Sequence, residues 1–148
     1  MKDFQLRNDT KLLFRNDPVA DLTVLTSEKK VLFVYGGGSA KKNGCYNDVK
    51  KAVENAGGIF YELADASREL ETIEKGIRLV KENGIEMVIG AGGANIMDCA
   101  KLIAFGAYHA DDLWAYVKAE KNPYGLKKLP LILMPAYPSS GSEYGLGA

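Results

Sequence analysis

Residues 34–44 read VYGGGSAKKNG and residues 90–98 read GAGGANIMD, and in both places an apolar, strand-like run stops in glycine. That recurrence constrains the fold more than any other feature of the chain. Val31-Leu32-Phe33-Val34-Tyr35 is a continuous β-prone run, as a strand buried on both faces requires. Behind it, Tyr46, Val49, Val53 and Ala56 mark the stripe of an amphipathic helix with a lysine-rich outer face, and Gly57-Gly58 stop it. Ile59 to Leu63 reads as a second strand. Ser67 reads as the N-cap of a helix with Glu69 and Glu71 in its first turn, a buried stripe at Leu70, Ile73, Ile77 and Val80, and Gly84 as its end.

Glu86 to Ile89 then forms a third strand entering the second glycine cluster, followed by an apolar helix from about Ile96 to Tyr108. Residues 111–129 are a polar connection with a short helix around Trp114, and Leu131 to Met134 is a fourth strand that leads into PAYPSSGSE. Alternating strands and helices imply an α/β domain with a doubly wound, mostly parallel sheet, a Rossmann-like nucleotide-binding architecture. Ligands of such sheets bind outside the carboxyl ends of the strands, where all three unusual loops lie. The first 25 residues, with the apolar runs Lys11-Leu12-Leu13-Phe14 and Leu22-Thr23-Val24-Leu25, read as an irregular or strand-like leader.

Composition narrows the function. With 148 residues and 47% hydrophobic content the chain is long enough for one domain with its own core, spanning 1–148. Nineteen Lys and Arg balance nineteen Asp and Glu, so there is no net field to hold a nucleic acid, and the expectation is a protein without a nucleic-acid partner. Cys45 and Cys99 have no metal-ligand spacing and read as small buried apolar residues in a reducing compartment. The opening MKDFQLRNDTK has no apolar signal segment, and no apolar run approaches the ~20 residues of a membrane helix, so the expectation is a cytoplasmic protein with no membrane partner.

The glycine loops suit phosphate. Where a strand ends and a helix begins at Gly92-Gly93-Ala94-Asn95, unpaired amides and the positive end of the helix dipole converge. Asn95 reads as the N-cap and Asp98 as the acid that folds back on it. The same residues also satisfy an ordinary tight turn. Gly36-Gly37-Gly38-Ser39 fits neither the dinucleotide fingerprint, whose third glycine would fall at Lys41, nor the P-loop. It nevertheless offers glycine amides, the Ser39 hydroxyl and the Lys41 and Lys42 ammonium groups, a set better matched to the 2′-phosphate of NADP than to a free ribose diol. The bland alternative is a pair of solvated lysines at a helix start.

In the third loop, Ser139, Ser140, Gly141, Ser142 and Glu143 supply hydroxyls, but there is no serine-hydrolase elbow. His109, the only histidine, stands beside Asp111 and Asp112 and reads as an exposed loop residue more readily than as a metal ligand. Trp114, Tyr116 and Val117 read as a small packing cluster.

Taken in order, these stretches resemble the N-terminal domain of the iron-containing (group III) alcohol dehydrogenases, in particular the NADPH-dependent butanol and aldehyde-reducing branch. Asn8 to Phe14 resembles that family's opening N-P-T-K-x-x-F strand, and Tyr35 to Gly44 its Y-G-G-G-S-x-K-K-N-G loop. Gly92 to Lys101 resembles G-G-G-S-V-I-D-x-A-K, and Ser140 to Glu143 resembles T-G-S-E. The resemblance implies hydride transfer between a nicotinamide cofactor, NADP with NAD also possible, and a small alcohol or aldehyde polarised by a divalent metal, Fe or Zn.

By position it implies that Gly37, Gly38, Ser39 and Lys41 meet the adenosine end of the cofactor. Gly92, Gly93, Ala94 and Asn95 would meet the pyrophosphate, and Asp98, Tyr137, Ser140 and Ser142 would flank the remainder. Ala94 stands where the family has its third glycine, Asn95 where it has serine, and Ala136-Tyr137 where it is threonine-rich. The family's metal ligands, an aspartate and three histidines, belong to a second, helical domain, so this chain reads as a truncated gene product or an isolated domain without catalytic residues of its own. An incomplete domain exposes apolar surface and favours a homo-oligomer. The competing reading is a non-catalytic nucleotide-binding or interaction module. Glycerol dehydrogenases and dehydroquinate synthases usually carry an acid where Ser39 stands, which argues against them.

Overall fold

The computed structural model describes residues 8–138 and 140–145. Readings that involve the first seven residues, the Ser139 hydroxyl or residues 146–148 lie outside them. The described residues form a four-stranded parallel sheet in the order β2-β1-β3-β4, where β1 is Lys30–Tyr35, β2 Ile59–Leu63, β3 Met87–Gly92 and β4 Leu131–Pro135. Val34 lies opposite Leu63 on one side and Gly90 on the other, so β1 and β3 are the central strands and are buried almost throughout.

Alternation along the strands sends side chains into two cores, as a doubly wound sheet requires. Leu32, Val34 and Val88 pack against Ile73, Ile77 and Val80 of α4 (Leu70–Asn83) and Cys99, Ala100 and Ile103 of α5 (Ala94–His109). Val31, Phe33, Tyr35 and Ile89 pack on the opposite face against Val49, Ala52 and Val53 of α3 (Cys45–Asn55) and Leu22 of α1 (Val19–Leu25). The stop signals at the helix ends act as read: Gly57 and Gly84 have φ of 70° and 62°, a conformation that costs glycine little. No helix among the described residues is long and apolar enough to cross a membrane.

Several local expectations are corrected. The second apolar run of the leader is not strand-like but helical, as α1. Asp17 Oδ1 accepts the Val19 N–H at 3.0 Å, Pro18 sits at the cap, and Leu22 is buried, so local capping plus one anchoring side chain outweigh β-propensity. Residues 8–16, including the segment that resembles the family's opening strand, join no ladder, and Leu12 and Phe14 are exposed. Ser67 does not cap α4. Its Oγ accepts the Glu69 N–H at 3.2 Å in a turn just before the helix, and Glu69 takes the cap position.

Asn95 is likewise not a cap: α5 starts two residues earlier than expected, at Ala94 with Gly93 as N-cap, and Asp98 turns away from that end. Trp114, on α6 (Leu113–Val117), is 54% exposed, while Tyr116 of the same helix packs edge-on against Phe105. Cys99 is buried as read, whereas Cys45 is half-buried; burial pushes both thiols up from 9.0 to about 11.

Candidate functional site

The chain leaves β1 toward β2 and returns to β3 on the other side of β1, so the strand order reverses between β1 and β3. Such reversals open a crevice at the carboxyl ends of the strands. A cavity of about 220 Å³ lies there, lined by Ser39, Ala40 and Cys45 beyond β1, Ala91 and Gly92 at the end of β3, and Ala136 beyond β4. All three loops singled out in the sequence therefore converge. Ser39 begins the four-residue helix α2 (Ser39–Lys42), with Gly38 at its cap.

Around Gly92 the backbone is tightly specified. Gly92 has φ of 155°, and a Cβ there would lie 2.8 Å from Ile96 Cγ1. A Cβ on Gly90 would lie 2.6 Å from Ala100 Cβ, so glycine lets α5 sit directly on β3. The start of α5 is thereby brought to the crevice. Ile96 also reaches the first loop, where its Cδ1 lies 3.2 Å from a Cβ placed on Gly36. The Ala136 N–H donates to the Gly92 carbonyl at 2.9 Å and so continues the β3–β4 ladder into the third loop.

The remaining predicted residues divide into groups. Asp98 and Ser142, both about nine-tenths buried, bond to each other rather than standing open: the Ser142 hydroxyl donates to Asp98 Oδ1 at 2.6 Å and accepts from Lys101 Nζ at 2.8 Å. Lys101 Nζ also lies 3.6 Å from Asp98 Oδ1, and Arg68 reaches Asp98 Oδ2 at 3.7 Å. This cluster pins the third loop to the first turns of α5. Burial holds the Lys101 ammonium below its ordinary pKa, against the opposing pull of Asp98. Ser140 Oγ accepts the Ser142 N–H at 3.3 Å within the loop.

Lys41 is oriented toward aromatic rings. Its Nζ lies 4.9 Å from the centre of the Tyr46 ring and 5.5 Å from that of Tyr35, and its hydrogen bond to Tyr35 raises its pKa. The Tyr35 hydroxyl donates to Glu62 at 2.7 Å; burial first, then Glu62, raises the phenol's pKa. Lys42 is the lysine beside the glycine loop, its Cε 3.8 Å from a Cβ placed on Gly38. Sequence reasoning assigned no role to Lys101, Arg68 or Glu62. The i,i+3 spacing of Asp98 and Lys101 on one helix was the available signal for the first of these.

His109 stacks on Phe105 with ring centres 4.4 Å apart, and its Nε2 lies 2.9 Å from the Lys127 carbonyl oxygen. Among the described residues no group of three or more His, Cys, Asp and Glu is placed to hold a metal ion. A resident metal of the kind the resemblance implies does not fit these residues.

Residues 9–148 match the family model described as iron-containing alcohol dehydrogenase. The chain belongs to that family. The probable NADH-dependent butanol dehydrogenase 1 of Bacillus subtilis is 34% identical over all of this chain and 39% of its own length. The NADPH-dependent aldehyde reductase YqhD of Escherichia coli is 27% identical over the same shares. Among solved structures, NADH-dependent butanol dehydrogenase A from Thermotoga maritima superposes with a TM-score of 0.83 at 29% identity, over 95% of this chain and 36% of the other. The chain thus spans about two-fifths of the length of the curated relatives it matches. The α/β fold expected from the sequence is that of the family's N-terminal region.

Proposed function

We propose that this chain forms the dinucleotide-binding part of an NAD(P)-dependent alcohol or aldehyde oxidoreductase. The observation that carries the reading is the cavity at the β1–β3 reversal, where Ser39, Gly92 and Ala136 bring the three loops to one place. When bound, the cofactor supplies a carbon that gives or takes hydride. The chain's own task is to hold it.

The amides of Gly93, Ala94 and Asn95, at the positive end of the sixteen-residue α5, suit a diphosphate, and Gly92 brings that helix end close. Gly37, Gly38 and Ser39 suit the adenosine ribose, with Lys42 rather than Lys41 as the ammonium beside them. Asp98 and Ser142 act indirectly, by fixing the loop that carries Tyr137 and Ser140. Since no metal cluster forms among the described residues, polarisation of an alcohol or aldehyde oxygen is assigned to none of them.

The similar proteins are named for NADH in one case and NADPH in another, so both cofactors belong in the test. Titration of the chain with each, followed by cofactor fluorescence, is expected to show saturable binding; no binding up to millimolar cofactor would sink the reading. Ser39→Asp is expected to weaken NADPH more than NADH, because a new carboxylate repels the 2′-phosphate. Equal losses would refute the placing of that loop. A second reading, a non-catalytic module whose altered loops have lost the dinucleotide, draws on the ring of Tyr137 against Gly93, and absence of binding in the same titration favours it.

A further inference from the structure

The glycine turn that ends β3 is covered by a side chain. A Cβ placed on Gly93 would lie 2.6 Å from Tyr137 Oη, 3.2 Å from its Cζ and 3.6 Å from its Cε1, so the hydroxyl-bearing edge of the ring rests on the Gly93 Cα. Gly93 is the N-cap of α5, and the first amides of a helix point outward past its cap. The ring edge thus lies against the residue at which that set of amides begins.

The ring is tethered at its base and loose at its tip. Ala136, its neighbour, is bonded to the Gly92 carbonyl at 2.9 Å, and Pro135 and Pro138 restrict the backbone on either side. Tyr137 itself is 58% exposed, so among the described residues none encloses the ring on its outer side, and rotation about χ1 carries it into solvent without opening a cavity. Contact is through the ring edge, so in this position Tyr137 offers no π-face to a ligand over Gly93.

Resting on the proposed cofactor role, we infer that Tyr137 is a gate on the diphosphate subsite, closed against Gly93 in the free chain and displaced when a dinucleotide binds. Its closed population is then a tax on affinity. A ring closed nine-tenths of the time lowers apparent affinity about tenfold, since only the open fraction binds.

The test compares the chain with its Tyr137→Ala and Tyr137→Phe variants in titrations with NADH, ADP-ribose and adenosine. Tyr137→Ala is expected to bind NADH and ADP-ribose about tenfold more tightly and adenosine, which lacks the diphosphate, unchanged. Tyr137→Phe keeps the ring and is expected to stay closer to the parent chain. Weaker binding by Tyr137→Ala would make the ring a ligand contact and overturn the gate, and so would equal binding.

A measurement without ligand checks the contact itself. Gly93→Ala is expected to destabilise the chain toward urea when Tyr137 is present and to do so less in the Tyr137→Ala background, and equal costs would overturn the inference. Binding unaffected by Tyr137 removes the gate alone, whereas no binding by any variant removes the cofactor reading and the gate with it.

Discussion

The loops after β1 and β3 look alike in sequence, yet their glycines answer to different forces. At the end of β3, glycine is demanded from inside: Gly90 and Gly92 would each drive a Cβ to within 2.8 Å of Ala100 or Ile96 of α5, whereas Gly93 meets only the exposed ring of Tyr137. After β1 the pressure stops at Gly36, whose Cβ would lie 3.2 Å from Ile96 Cδ1: a Cβ on Gly37 meets nothing within 4 Å, and one on Gly38 meets only Lys42 Cε at 3.8 Å. The second loop is bare because the fold packs against it. At Gly37 and Gly38 the first has no packing reason to be bare, which leaves the close approach of an external group as the physical use of those two glycines.

Substitutions can break that contrast. The largest effect is expected from Gly90→Ala, whose methyl collides with Ala100 between two buried elements; a loss of about 3 kcal/mol in urea unfolding is expected for overpacking of this kind. Less than 1 kcal/mol would mean that α5 lifts off β3 easily. Asp98→Ala removes the carboxylate that accepts the Ser142 proton and balances the Lys101 ammonium, while the Lys101–Ser142 bond remains; about 2 kcal/mol is expected, within the range for a lost hydrogen bond to a charged group. Adding Lys101→Met should recover part of it, and strict additivity would show that the cluster is not a unit.

A pH series sharpens the same region. Below pH 9 the half-buried thiol of Cys45 and the buried thiol of Cys99 are protonated whether the chain is folded or not. With folded values raised from 9.0 to about 11, the folded state holds those protons longer, so stability declines as pH rises from 9 to 11. Cys99→Ala should flatten the decline. Lys101 works in the opposite sense: its lowered value makes the unfolded chain bind the extra proton, so its contribution grows toward pH 10.5 and Lys101→Met should steepen the loss. Chemical denaturation at each pH reads both slopes.

The smallest stability change is expected from Gly37→Ala, within about 0.5 kcal/mol of the parent. Its NADH affinity should nevertheless fall by about tenfold if the loop is bare for the cofactor, a difference worth ~1.4 kcal/mol. Unchanged affinity would remove the first loop from the site.

Much of this was legible because it is periodic. Short β-prone runs gave all four strands, and three-four spacing with terminal glycines gave α3 and α4, since burial on one or two faces leaves a regular trace. Caps were less legible. Ser67 and Asn95 are both good cap residues by type, but Glu69 and Gly93 hold the positions, because where a helix starts depends on the packing of its first turn as well as on local hydrogen bonding. The leader failed for a related reason: a four-residue apolar run carries no period, and the contact of Leu22 with the α3 side of the sheet decided for helix.

By itself the sequence determined a doubly wound sheet with three polar loops at its carboxyl edge, because strand and helix periods and glycine stops are local properties of the chain. Tertiary structure alone decided what each loop residue faces. Lys41 turned to Tyr35 and Tyr46 across the bends that join β1, α2 and α3, Asp98 to Lys101 one turn along α5 and to Ser142 far along the chain, and Tyr137 onto Gly93 from another loop. Residue type states which bonds a side chain can make; only the packed chain states which partner arrives first and whether water is excluded when it does.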